Sequence, residues 1–222
     1  GIKSECEKTK LAKHDVTNAS INALIDKGIF IQEKREKSRL QFSLKENPIE
    51  ELNDAQNQAL IEIKSGFNEK KPVLLHGITG SGKTHIYSHL IKEVLDKKQQ
   101  ILYLLPEIAL TSQLITRLQE YFGKKLLVSH SKFTNNERVE IYQAIASGES
   151  YLIVGTRSAI FQPLKHLGLI IVDEEHESSF KQHEPAPRFN ARDTALYIAH
   201  KRQVPIILGS ATPAIESTFN AQ

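Results

Sequence analysis

The sequence predicts an α/β fold, a parallel sheet covered by helices on both faces, preceded by a small N-terminal segment of different character. Three observations predict it. From residue 72 onward, near-continuous Ile/Leu/Val runs alternate with amphipathic stretches, and strands buried on both faces read as such runs. The segment GITGSGKT at 77–84 fits the pattern G-x-x-x-x-G-K-[ST] at every fixed position, between a strand-like run and a helix-like one. A second apolar run, 169–172, delivers Asp173, Glu174, Glu175 and His176 at its carboxyl end, where open α/β sheets bind their ligands.

The elements follow in order. Residues 17–27 read as a short helix, with Thr17 as N-cap, Ile21, Leu24 and Ile25 on one face and Gly28 as the stop. Ile29, Phe30 and Ile31 read as a strand, 33–39 as a charged turn and 40–44 as a return strand. A helix followed by a basic hairpin is a winged-helix ending, a form that serves in DNA grooves and equally in protein–protein contacts. Glu46-Asn47-Pro48 reads as a linker, which places the domains at 1–45 and 46–222. A helix capped by Asn53 or Asp54 runs through Lys64. Strands are expected at 73–76, 101–105, 126–129, 151–154, 169–172 and 205–208. Helices are expected at 84–97, 108–121, 136–146 and 192–200. Neither internal repeats nor low-complexity tracts occur.

Composition narrows the class. Of 222 residues, 40% are hydrophobic and 25% charged, as in soluble globular proteins. No apolar run is long enough to span a bilayer, and the N-terminus is too polar for a signal peptide. Cys6 is the only cysteine, so no intrachain disulfide and no cysteine-based metal site is expected. These features suit the cytoplasm. The absence of Met, with Gly first, suggests an excised piece. Residues 1–45 hold ten Lys/Arg against six Asp/Glu, and 46–222 hold nineteen against twenty. The basic excess therefore lies in the N-terminal segment, which serves either phosphate contact or plain solvation.

The two motifs have complementary chemistry. Gly77, Thr79, Gly80, Ser81 and Gly82 form a loop whose backbone N–H groups turn toward phosphate oxygens, and the following helix N-terminus adds its positive end. Lys83 reaches the β- and γ-phosphates of ATP, and the Thr84 hydroxyl sits on Mg²⁺. Asp173 holds the same Mg²⁺, directly or through water, and Glu174 orients and deprotonates the attacking water. His176 is read as a γ-phosphate relay ahead of catalysis or metal ligation. Ser210 and Thr212, in GSATP at 209–213, are placed to hydrogen-bond the carboxylates and couple the site to the rest of the protein.

With these residues in order, the chain resembles the superfamily 2 helicases, and within them the PriA family of bacterial replication-restart helicases (primosomal protein N′). The resemblance rests on Leu52 to Gln56, GITGSGKT, PEIALT at 106–111, GTRSAIF at 155–161, DEEH at 173–176 and GSATP. It is strong from Leu52 to the end. It implies a first RecA-like ATP-binding lobe, with Gln56 on the adenine base. Thr111, Thr156 and Arg157 are assigned to backbone phosphates of single-stranded DNA. The stretch 178–193 resembles the family's aromatic-rich loop, in which Phe180 and Phe189 stack on bases while Lys181, Arg188 and Arg192 neutralise phosphates. His130-Ser131 and Glu137-Arg138 also fit.

The resemblance further implies 3′-to-5′ unwinding of forked DNA and partnership with primosome proteins and single-stranded-DNA-binding protein. A zinc site is expected in a full-length member, but not in this chain. A second lobe supplies the arginine finger, so one lobe alone is expected to hydrolyse ATP slowly or not at all. Two rivals remain: a DNA- or protein-binding module that uses ATP only as a switch, and a small-molecule kinase. The latter lacks an acceptor pocket in the sequence.

Overall fold

The computed structural model describes residues 17–30, 47–129 and 133–221. The chain divides into two compact units at residues 38 and 39.

In the first unit, α1 spans Asn18–Asp26. Thr17 caps it as expected, its hydroxyl accepting from the Ser20 N–H, and Gly28 ends it with φ of +70°. Ile29 and Phe30 do not form the expected strand. Both of their N–H groups return to the Leu24 carbonyl, at 3.0 and 3.1 Å, which closes a turn over the helix end. Cys6, Ile31 and the hairpin expected at 33–44 lie outside the described residues, as do His130 and Ser131.

The second unit holds six parallel strands: β1 Val73–His76, β2 Gln100–Leu104, β3 Leu126–Ser129, β4 Leu152–Gly155, β5 Leu167–Asp173 and β6 Ile206–Ser210. Their spatial order is β1-β6-β5-β2-β4-β3. Helices α2 Asp54–Asn68, α3 Lys83–Asp96, α4 Ser112–Phe122, α5 Asn135–Ser147, α6 Ala191–Arg202 and α7 Ile215–Asn220 connect or follow them. Every strand expected from residue 73 onward is present with its ends moved by no more than two residues. The helix expected from 108 begins at Ser112, because 106–110 first form a turn on the Pro106 carbonyl and Thr111 is the cap, accepting from the Leu114 N–H.

Handedness explains the two layers. Crossovers between parallel strands are right-handed. The chain first travels one way along the sheet, from β1 to β2 to β3, so α3 and α4 lie on one face. It then returns through β4, β5 and β6, so α5 and α6 lie on the other. Strand side chains alternate accordingly. Ile101, Tyr103, Leu169, Ile171 and Ile207 pack with Ile86, Leu90, Ile91 and Leu118 from α3 and α4. Leu102, Leu104, Ile170, Val172 and Leu208 pack with Ile141, Ile145, Ala195 and Ala199 from α5 and α6. Because the chain leaves β1 and β5 toward opposite faces, a crevice opens at the carboxyl ends of β1, β6 and β5. No helix among the described residues is long and apolar enough to cross a membrane.

Candidate functional site

The phosphate-loop motif lies at that crevice. It leaves β1 where the Gly77 N–H bonds the Ser210 carbonyl at the end of β6, at 3.1 Å. Gly80 and Gly82 take φ of +81° and +87°, values that favour glycine because it carries no Cβ. Gly82 is also the N-cap of α3 and makes no side-chain cap bond. The first N–H groups of the helix therefore keep their capacity for an anion, alongside the positive end of the helix dipole. Lys83 is buried, and its Nζ donates to the Gly77 carbonyl at 2.6 Å and toward that of Ile78 at 3.5 Å. Among the described residues it makes no carboxylate ion pair within contact distance, and its hydrogen bonds go to carbonyl oxygens of the loop.

Gln56 sits directly on this loop. It completes a capping box at the start of α2, exchanging bonds with Asn53, and its Nε2 donates to the Ser81 carbonyl at 3.3 Å. A Cβ at Gly82 would stand 2.1 Å from that nitrogen. The expected base-reading residue is thus held against the phosphate loop.

Asp173 ends β5 beside Gly209 of β6 and is buried. The Tyr103 hydroxyl donates to Oδ2 at 3.0 Å, the Tyr87 hydroxyl to Oδ1 at 3.3 Å, and the Glu174 N–H to Oδ1 at 3.2 Å. Burial raises the Asp173 carboxyl above its ordinary range. The Tyr103 bond opposes this, the Glu174 charge adds to it, and the Lys83 charge lowers it. Glu174 has φ of +50°, a left-handed conformation that non-glycine residues adopt uncommonly. The chain turns there so that the Glu175 N–H returns to the Gly209 carbonyl at 3.0 Å.

His176 bridges the two acidic and hydroxyl segments. Its Nδ1 lies 2.7 Å from Ser210 Oγ and its Nε2 3.3 Å from Thr212 Oγ1. Its Nδ1 is also 3.8 Å from Glu174 Oε2. The expectation that Ser210 and Thr212 bond the carboxylates is corrected here: both hydroxyls are on the imidazole. The buried carboxylate beside them, Glu175, is bonded instead by the Ala214 N–H at 2.7 Å, the Ser217 hydroxyl at 2.8 Å and Arg192 Nη1 at 3.1 Å.

That arrangement corrects part of the nucleic-acid assignment. Arg192 was expected on phosphates, but its guanidinium joins Glu175 to Asp193. Phe180 was expected to stack on bases, but it is 1% exposed, packed in the core against the α6 layer. Thr156, at 5%, is likewise taken up by the fold. Thr111, Lys181 and Arg188 are exposed. Arg157 donates to the Ser179 and Lys181 carbonyls at 3.4 and 3.3 Å, bracing the loop after the acidic box. Phe189 is half-buried, edge-on to Phe161 with centroids 4.8 Å apart. Phe161 is 63% exposed and is a surface aromatic that sequence reading passed over. Its position in GTRSAIF, after two buried apolar residues, was the available signal.

The site suits Mg²⁺-nucleotide chemistry. Mg²⁺ at phosphates is held by one or two protein groups, waters and the phosphates themselves. The Thr84 hydroxyl at the start of α3 and the Asp173 carboxylate at the end of β5 are groups of that kind. Among the described residues there is no group of three or more His, Cys, Asp or Glu able to hold a metal.

Comparison with known proteins agrees with this geometry. The chain matches the DEAD/DEAH box helicase family over residues 53–220. It is 44% identical over 203 residues to the replication restart protein PriA of Synechocystis, covering 90% of this chain and 24% of that protein. The Bacillus subtilis PriA is 41% identical over 223 residues, covering 98% and 27%. The chain therefore spans about a quarter of the length of these relatives. Among solved structures, RecG bound to a three-way DNA junction superposes with a TM-score of 0.53 at 26% identity, covering 77% of this chain and 22% of that one. The Pyrococcus furiosus Hef helicase domain gives 0.53 at 21%, covering 75% and 35%, a likeness of fold. The shared architecture is the RecA-like α/β fold.

Proposed function

Because the chain belongs to the DEAD/DEAH box helicase family, we propose that it is the ATP-binding first motor lobe of a PriA-like 3′-to-5′ DNA helicase acting in replication restart. The observation that carries this reading is the convergence of Lys83, Thr84, Asp173 and Glu174 at the carboxyl ends of β1 and β5. The 1–45 segment is the end of a winged-helix domain, and 46–222 is the lobe.

The loop from Gly77 to Gly82 and the start of α3 bind the phosphates through backbone N–H groups. Lys83 gives up its loop carbonyls for the β- and γ-oxygens, and Gln56 lies on the adenine side of the loop. Thr84 and Asp173 would hold Mg²⁺, which when bound would supply charge neutralisation for the transferred phosphoryl group. Glu174 orients the attacking water and takes its proton. His176, with Ser210 and Thr212, reports the state of the γ-phosphate to the segment that follows β6. Glu175 and Arg192 tie that segment to α6.

Thr111 and Arg157 lie at the edge where single-stranded DNA crosses. Lys181 and Arg188 supply charge, and Phe161 with Phe189 supplies an aromatic surface for bases. Contacts to backbone phosphates track a strand without reading its sequence. Forked DNA, primosome proteins and single-stranded-DNA-binding protein are its partners, in the cytoplasm.

Lys83→Ala tests the nucleotide reading. Charge-assisted hydrogen bonds contribute about 1.5–3 kcal/mol, so the variant binds ATP roughly 10- to 100-fold more weakly. The affinity is measured by titrating a fluorescent ATP analogue into this chain. Unchanged affinity removes the loop from the nucleotide site.

A further inference from the structure

Two tyrosines stand on Asp173, one of the residues assigned to Mg²⁺, and nothing above gives them a role. Tyr87, on α3, and Tyr103, on β2, are both 0% exposed, with their rings edge to face at 5.7 Å. The register of the sheet brings them there. Tyr103 lies opposite Ile171, two residues before Asp173 and so on the same face of β5. Asp173 pairs with Gly209 on β6, and a Cβ at Gly209 would stand 1.8 Å from the Tyr87 hydroxyl. The missing side chain is what lets that hydroxyl reach the carboxylate.

The direction of each bond follows from the groups. An ionised carboxylate only accepts, and a phenol has one proton. Tyr103 donates that proton to Asp173 Oδ2 at 3.0 Å. Tyr87 holds the other carboxylate oxygen at 3.3 Å.

We propose that Tyr103 is a positioning residue for the Mg²⁺ site, its hydroxyl fixing the orientation in which the Asp173 carboxylate is presented to the cation. Tyr87 braces the same carboxylate from α3. The inference rests on the reading of Asp173 as a Mg²⁺ ligand.

The test is equilibrium binding of ATP to this chain, in excess EDTA and again in Mg²⁺, for the unaltered chain, Tyr103→Phe and Tyr87→Phe. In the unaltered chain Mg²⁺ tightens binding. Tyr103→Phe loses about tenfold of that gain, the scale of one hydrogen bond to a charged group, while its affinity in EDTA is unchanged. Tyr87→Phe shows a smaller loss of the same gain, and carries the test if Tyr103→Phe does not fold. Equal losses with and without Mg²⁺ in these variants would make the tyrosines packing residues and overturn the inference. A full Mg²⁺ gain in both variants would also overturn it, leaving the Mg²⁺ reading intact. An unaltered chain whose ATP affinity ignores Mg²⁺ would overturn that reading and this inference together.

Discussion

Glu174→Gln lowers ATP turnover by the complete protein about 10²- to 10⁴-fold, the range for loss of a general base, and leaves ATP affinity unchanged. The substitution keeps the shape of the side chain and removes its ability to take a proton. The phosphate contacts assigned to the loop and Lys83, and the Mg²⁺ contact assigned to Asp173, are untouched, so binding persists. Glu174 is suited to the role by its place at the turn after β5, with φ of +50°, and by its half-buried carboxylate near His176. Phosphate release measures turnover, and a fluorescent ATP analogue measures binding. Normal turnover would mean that another group orients the water. Loss of binding would make Glu174 part of the nucleotide pocket.

Arg192→Ala destabilises this chain by about 3 kcal/mol, the scale for stranding one partner of a buried ion pair. For a chain of this size that lowers the midpoint of thermal unfolding by roughly 6–12 °C. Glu175 has a side chain with 0% exposure, against 16% for Arg192. Without the guanidinium, the carboxylate keeps only the Ala214 N–H and the Ser217 hydroxyl. The double variant Glu175→Gln with Arg192→Met costs less than Arg192→Ala alone, because no charge is stranded. Scanning calorimetry reads both. An unchanged midpoint with weakened DNA binding would return Arg192 to the DNA surface.

The local signals were the legible ones. The phosphate loop is a continuous stretch whose glycines, Lys83 and Thr84 act through the backbone geometry of their own segment, so the motif carries its meaning in sequence order. The strands were legible because both faces of the sheet are covered, which makes each strand an unbroken apolar run. What the sequence hid depends on contacts between distant segments. Phe180 and Arg192 lie in a loop rich in aromatic and basic residues, and composition alone matches a DNA surface. Only the packing of 178–180 against α6, and a carboxylate 17 residues away in the chain, assign them to the interior. Tyr87 and Tyr103 read as ordinary core residues of a helix and a strand. Their hydroxyls meet Asp173 across 86 and 70 residues of sequence. Ile29 and Phe30 have strand propensity, but the bonds to Leu24 at the end of α1 override it.

The central claim, a motor lobe whose ATP site answers to DNA, is tested most directly by one titration. Single-stranded DNA is added to the complete protein while ATP turnover is followed. Turnover that rises with DNA and saturates is the predicted result. Turnover that ignores DNA at every concentration would contradict the helicase reading and favour a site that uses ATP without a nucleic-acid track.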